Sequence, residues 1–220
     1  MEHEFWLQSW HEGRTGFHQL RVQPLLQKYW PTLDLPTGSK IFVPLTGKSL
    51  DMAWLAAQGY RVLGVELSLL AVQQFFAEHG LKPAVRESHY GTHYTARNIE
   101  VICGDTFALD AALLSDCSGI YDRAALIALP PELRVPYINE LMTCLPAGCS
   151  GLLITLEYQQ QEMVGPPFSV EEAEVLKCYS PRWCVKLLER NDILPQEPGF
   201  AARGLTKLAT AVYQLQRLAV

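Results

Sequence analysis

No two of the six cysteines, Cys103, Cys117, Cys144, Cys149, Cys178 and Cys184, stand in C-x-x-C spacing. Zinc and thioredoxin-like readings therefore fail, and reduced, buried thiols are the expectation, as in Val101-Ile102-Cys103. A basic excess is also lacking. Lys+Arg is 18 and Asp+Glu is 23, a net charge of −5. That argues against nucleic acid and against an anionic membrane surface as partners. No apolar run reaches the ~18–20 residues of a membrane-spanning helix. The first sixteen residues are polar, aromatic and acidic rather than a secretory signal, so a cytoplasmic location is expected. Three active-site motifs are missing as well. Gly47-Lys48-Ser49 invites a phosphate-loop reading, but Phe42 stands where that loop needs its first glycine. A G-x-G-x-x-G dinucleotide fingerprint is absent, with only Gly47 in its place. No G-x-S-x-G elbow of a serine hydrolase occurs. There is no repeat, low-complexity tract or interdomain linker, and residues 1–220 read as one domain.

What is present is an alternation of strand-like and helix-like segments. Residues 39–45, 61–66, 99–103, 118–122 and 150–158 read as apolar strands. Helices follow at 49–59, with Ser49 as N-cap, and from Ser68 to Gly80. A helix over 132–145 puts Ile138, Leu141, Met142 and Leu145 on one face, with Pro136 in its first turn. Ser169-Val170-Glu171-Glu172 reads as a capping box opening a helix to about 177. Strands near 184–189 and 207–216 close the chain and pair antiparallel. Residues 84–98 and 191–206 read as loops. The pattern predicts an α/β fold, a mostly parallel sheet with helices on both faces.

Ligands of such sheets bind outside the carboxyl ends of the strands. Gly47, after the first strand, lets backbone approach a ligand, or simply makes a tight turn. Glu66 ends the second strand nineteen residues later. A carboxylate there accepts hydrogen bonds from both hydroxyls of a ribose; a solvated acid is the plainer reading. Together the two point to an adenosine-type ligand without a pyrophosphate loop. Asp105 and Thr106 follow the third strand, where a polar group reaches an adenine amino group or caps the next turn. Asp122 and Arg123 leave the fourth strand, and Arg123 suits an anionic group unless it pairs with Asp122 or with backbone. Trp6 and Trp10 share a helix face that is either core or the cover of a ligand, with Phe17 nearby. Gly91 between His89 and His93 places them in a loop, so no metal site is expected, and Arg203 reads as a single basic residue.

Several stretches, in order and nearly end to end, closely resemble the bacterial branch of the thiopurine S-methyltransferase family. They are Trp6, Trp10, Gly13-Arg14-Thr15-Gly16-Phe17-His18-Gln19, Pro44-Leu45-Thr46-Gly47-Lys48-Ser49-Leu50-Asp51-Met52, Gly64-Val65-Glu66-Leu67-Ser68, Tyr121-Asp122-Arg123-Ala124-Ala125-Leu126 and Gly165-Pro166-Pro167-Phe168. One departure is Thr46, where the pattern leads one to expect Cys. The resemblance implies a Rossmann-like class I methyltransferase domain with a seven-stranded, mostly parallel sheet and an antiparallel last strand. Residues 1–30 would form a helical lid segment on it. It implies S-adenosylmethionine as donor and an aromatic or heterocyclic thiol as the small-molecule acceptor. Carried over by motif, Trp10, Leu45, Glu66 and Arg123 match cofactor-binding positions, with Leu45 acting through its backbone; Gly47, Asp105 and Thr106 are added as cofactor-binding candidates from their own places after the first and third strands. Phe17, Arg123 and Arg203 lie on the acceptor side, and Arg123 is the candidate to stabilise a thiolate. Same-fold alternatives are transfer to halide, selenium or tellurium species, or binding of adenosylmethionine without catalysis. A monomer is the default.

Overall fold

Five short apolar strands lie parallel in the computed structural model, which describes residues 3–219; residues 1, 2 and 220 lie outside the described residues. They are β1 (Lys40–Val43), β2 (Arg61–Glu66), β5 (Ile99–Cys103), β6 (Cys117–Arg123) and β7 (Ser150–Glu157). Two strands, β8 (Trp183–Asp192) and β9 (Ala209–Arg217), pair antiparallel as expected, and β9 also runs antiparallel to β7. With β3 (Ala84–Ser88) and β4 (Gly91–Ala96), the order along the sheet is β3-β4-β5-β2-β1-β6-β7-β9-β8.

The alternation of side chains explains the two layers of helix. Ile41, Val43, Val101, Leu152 and Ile154 enter one core, which α3 (Leu50–Ala57) and α4 (Leu69–Glu78) cover with Met52, Leu55, Val72 and Phe75. Their neighbours Phe42, Ile102 and Leu153 point the other way, into a core closed by Leu141, Val175 and Tyr179. Ser49 and Ser68 cap the two helices as predicted, accepting from the Asp51 and Ala71 N–H groups.

Among the described residues the sheet has nine strands rather than seven. Residues 84–98, expected as a loop, form a hairpin of β3 (Ala84–Ser88) and β4 (Gly91–Ala96) that extends the sheet beyond β5. Most β3 side chains are exposed, so no apolar alternation marks it. His93 therefore sits in a strand, buried, with its ring nitrogens 2.6 Å from Ser88 Oγ and 2.6 Å from Glu100 Oε1. Three further expectations change. The helix at 132–145 is α6 (Pro131–Pro136), a π turn at Tyr137–Leu141 and a 3-10 turn at Met142–Cys144. Pro136 lies at the end of α6 instead of in its first turn; it has no N–H to offer the Glu132 carbonyl, and the ladder passes into π spacing just after it. The Ser169 capping box does not form. Ser169 Oγ accepts from Tyr158 N at 3.0 Å, and α7 (Glu172–Tyr179) starts later. Residues 191–206 hold the end of β8, a 3-10 turn at Leu194–Gln196 and α8 (Pro198–Ala202). Of the cysteines, Cys117 and Cys149 are fully buried, their thiols pushed up to about 12 by burial; Cys103 is only half-buried and Cys184 exposed.

Candidate active site

A cleft of about 1260 Å³ opens outside the carboxyl ends of the parallel strands. Strand order reverses there: β1 leads to β2 on one side, while β6 lies on its other side. The segments after β1, β2, β5 and β6 meet along its floor. Every site residue expected from the sequence, Trp10, Phe17, Leu45, Gly47, Glu66, Asp105, Thr106, Arg123 and Arg203, lines this one cleft.

Glu66 anchors the floor. It is 7% exposed, and its two carboxylate oxygens each accept one backbone N–H, Oε2 from Gly47 and Oε1 from Ser68, both at 2.8 Å. Burial pushes its carboxyl above the usual value, and the backbone donors pull the other way. No cation pairs with it among the described residues. Each oxygen keeps a lone pair for a further donor. The loop above it is made by backbone conformation. Leu45 and Gly47 both take positive φ, 45° and 53°, and Thr46 N donates to Val65 O at 3.0 Å. A Cβ on Gly47 would stand 3.1 Å from the Trp10 ring.

That ring belongs to α1 (His3–His11). Trp10 is 4% exposed, and Phe17 packs edge-on against both Trp6 and Trp10 at 5.5 and 5.4 Å. The aromatic face is thus core and cleft wall at once. Asp105 takes the capping role: its Oδ1 accepts Phe107 N at 2.9 Å, while Oδ2 lies 3.5 Å from His3. The neighbouring Thr106 hydroxyl is buried without a partner among the described residues.

The Arg123 guanidinium, on a half-buried residue at the end of β6, makes no ion pair or hydrogen bond among the described residues. The Asp122–Arg123 pairing does not occur. Asp122 turns inward, accepting from Tyr137 OH at 2.7 Å and from Leu126 N at 3.2 Å. Arg203 caps α8 on the exposed rim, its guanidinium 5.6 Å from the Phe200 ring centroid.

Sequence reasoning missed two supports of the site. Asp51, buried in the first turn of α3, accepts Gln23 N at 2.8 Å and Tyr121 OH at 2.9 Å, fastening the segment after α1 to the sheet. In sequence it reads only as an acid at a helix N-terminus. Arg134 donates to Leu129 O and to both oxygens of Glu174, and lies over the Phe168 ring at 5.6 Å. It braces the Gly165–Phe168 lip, and neither its neighbours nor their spacing mark it.

The geometry suits an adenosine with a small group beside it, and comparison with known proteins agrees in fold. The chain is 14% identical to the Burkholderia thailandensis 1,6-didemethyltoxoflavin-N1-methyltransferase, whose structure holds 1,6-didemethyltoxoflavin and S-adenosylhomocysteine; the TM-score is 0.67 over 99% of this chain and 87% of that one. A SAM-dependent methyltransferase from Anabaena variabilis gives 0.66 at 15% identity, over 98% and 94%. Sequence similarity is far stronger elsewhere. The Bordetella parapertussis thiopurine S-methyltransferase is 58% identical over 218 residues, 99% of this chain and all of that protein. The Xanthomonas campestris pv. campestris thiopurine S-methyltransferase matches equally, at 58% over 217 residues. The family described as Thiopurine S-methyltransferase (TPMT) matches residues 1–218. Full-length coverage, identity near three-fifths and a methyltransferase sheet place this chain in the thiopurine S-methyltransferase family.

Proposed function

We propose that this cleft binds S-adenosylmethionine with its ribose on Glu66 and passes the methyl group to the sulfur of an aromatic or heterocyclic thiol such as a thiopurine. One observation carries the cofactor assignment. Glu66 is buried, held on both oxygens by backbone N–H groups and without a cation, a costly state unless further donors reach it. Two ribose hydroxyls are such donors, whereas a phosphorylated ribose would be repelled.

The chemistry the cofactor supplies when bound is a methyl group activated on a positively charged sulfur. The chain's part is to bind, orient and exclude water. Leu45 and Gly47 present backbone to the donor side, and Trp10 closes over them. Asp105 and Thr106 lie where the adenine end would rest. On the acceptor side Phe17 offers a ring face, and Arg123 and Arg203 supply positive charge. A heteroaryl thiol ionises near neutral pH, so no side chain here is assigned as a base. Holding donor and acceptor in line contributes up to about 7–11 kcal/mol. Charge is neutralised as thiolate meets sulfonium, so a drier cleft helps. In this reading residues 1–30, of which 1 and 2 lie outside the described residues, are a lid segment packed on a single methyltransferase domain. No described helix is long and apolar enough to cross a membrane. The net charge of −5 argues against nucleic-acid partners, and a cytoplasmic monomer completes the reading.

The test is calorimetry with adenosylmethionine, its demethylated product, NAD and ATP, followed by labelled methyl transfer to a panel of aryl thiols, halides and selenite. Tight binding of the first two and methylated thiol are expected. NAD or ATP binding without a response to adenosylmethionine would end this reading.

A further inference from the structure

We infer that Tyr137 and Asp122 form a positioning pair that sets the direction of Arg123, an inference that rests on the role given to Arg123 above. Asp122 and Arg123 are successive residues of β6, so their side chains leave the sheet on opposite faces. Arg123 lines the cleft. Neither Asp122 nor Tyr137 does, so both act on the reaction only through another residue.

The turn after Arg123 needs holding. Ala124 has φ 74°, the left-handed region that a residue with a Cβ enters at a cost. Strand pairing fixes Arg123 on one side, opposite Ile154 of β7. On the other side the turn is closed by the Asp122 carboxylate, which accepts Leu126 N from beyond the bend. Relaxation of Ala124 to negative φ would swing the end of β6 and carry the Arg123 guanidinium with it.

Tyr137 holds the carboxylate. Its hydroxyl donates to Asp122 Oδ2 at 2.7 Å, and both groups are fully buried. Tyr137 reaches this place at the end of α6, its own N–H still bonded to Leu133 O, and it opens the π turn of Tyr137–Leu141. Such turns recur at functional sites. With Oδ2 taken by the phenol, Oδ1 stays directed at Leu126 N. Removing the phenol frees the carboxyl to rotate and take up a proton, and the bend loses its lock.

A double-mutant cycle tests the pair. Tyr137→Phe, Arg123→Lys and the double variant are assayed for kcat/KM with a thiopurine, and each is melted in urea. Tyr137→Phe is expected to lower kcat/KM by about 10-fold in the otherwise native enzyme, in line with one lost charge-assisted hydrogen bond. In the Arg123→Lys background it should cost less than about 2-fold, since coupled residues do not add. Equal losses in both backgrounds overturn the inference while leaving the role of Arg123 intact. Full activity of Arg123→Lys overturns that role and this inference with it. If Tyr137→Phe does not fold, Asp122→Asn takes its place. Its amide keeps one acceptor oxygen for two donors, and it must show the same non-additivity.

Discussion

Replacing Glu66 by glutamine changes almost no volume, yet it should cripple cofactor binding. The native carboxylate accepts Gly47 N on one oxygen and Ser68 N on the other. An amide has one acceptor oxygen and one NH2. Whichever way it is placed, one backbone N–H faces another donor, and one ribose hydroxyl loses its acceptor. The remaining hydroxyl bond loses its charge. A hydrogen bond to a charged group contributes about 1.5–3 kcal/mol. At about 1.4 kcal/mol per decade, binding should weaken roughly 10- to 100-fold. Stability should move little. The unpaired N–H costs about 1–3 kcal/mol, but the burial penalty that raises the native carboxyl disappears with the charge. Calorimetry with adenosylmethionine and its demethylated product measures the first effect, and thermal melting the second. A pH series adds a sign test. The Glu66 carboxyl titrates above the ordinary 4.5, so on acidification it takes up its proton early and affinity falls through that raised pKa. The glutamine variant should lack this acid limb. Affinity within about 2-fold of native at neutral pH, or an unchanged acid limb, would refute the ribose assignment.

Gly47→Ala adds a methyl 3.1 Å from the Trp10 ring at φ 53°, and should cost about 1–2 kcal/mol of stability by urea melting, with weaker cofactor binding by calorimetry. Burial raises Asp122 from the ordinary 3.8 to about 6, so the native state binds its proton first. Its contribution to stability is therefore greatest below pH 3.8 and falls as pH rises toward 6, staying flat beyond; the difference in melting temperature between native protein and Asp122→Asn across pH 3–8 should show that slope. Glu174→Ala strands the buried Arg134 guanidinium and should destabilise by about 3 kcal/mol in urea, whereas removal of an exposed pair such as Arg14–Glu12 should cost far less.

The parts of the site that sequence made legible share one property: they follow apolar strands at fixed places. Gly47, Glu66, Asp105 and Arg123 each lie at or just beyond a strand's carboxyl end, so finding the strand finds the residue. What stayed hidden is polar contact across long separations. Gln23 and Asp51 are 28 residues apart, and Asp122 finds Tyr137 rather than its neighbour Arg123. Nothing in a hydrophobic period encodes such pairs. The hairpin at 84–96 escaped for a related reason. Its outer strand faces water on nearly every residue, and its inner strand buries His93 through Ser88 and Glu100 instead of through an apolar side chain.

That hairpin also governs how the molecule behaves in a crowd of its own kind. Without it the outermost strand would be β5, whose Ile99, Val101 and Ile102 form an apolar template beside the strand that carries Glu66. An uncovered edge of that kind invites strand addition from another chain. With the hairpin in place the rim is Ala84-Val85-Arg86-Glu87-Ser88, where Arg86 is tied to Glu100 at 2.7 Å. The opposite rim, β8, carries Lys186, Glu189, Arg190 and Asp192, and its pairing slips at Leu187–Glu189. Charge on one side and charge with irregular register on the other leave no flat apolar ladder for aggregation to extend, so the half of the sheet that carries Glu66 is shielded from it.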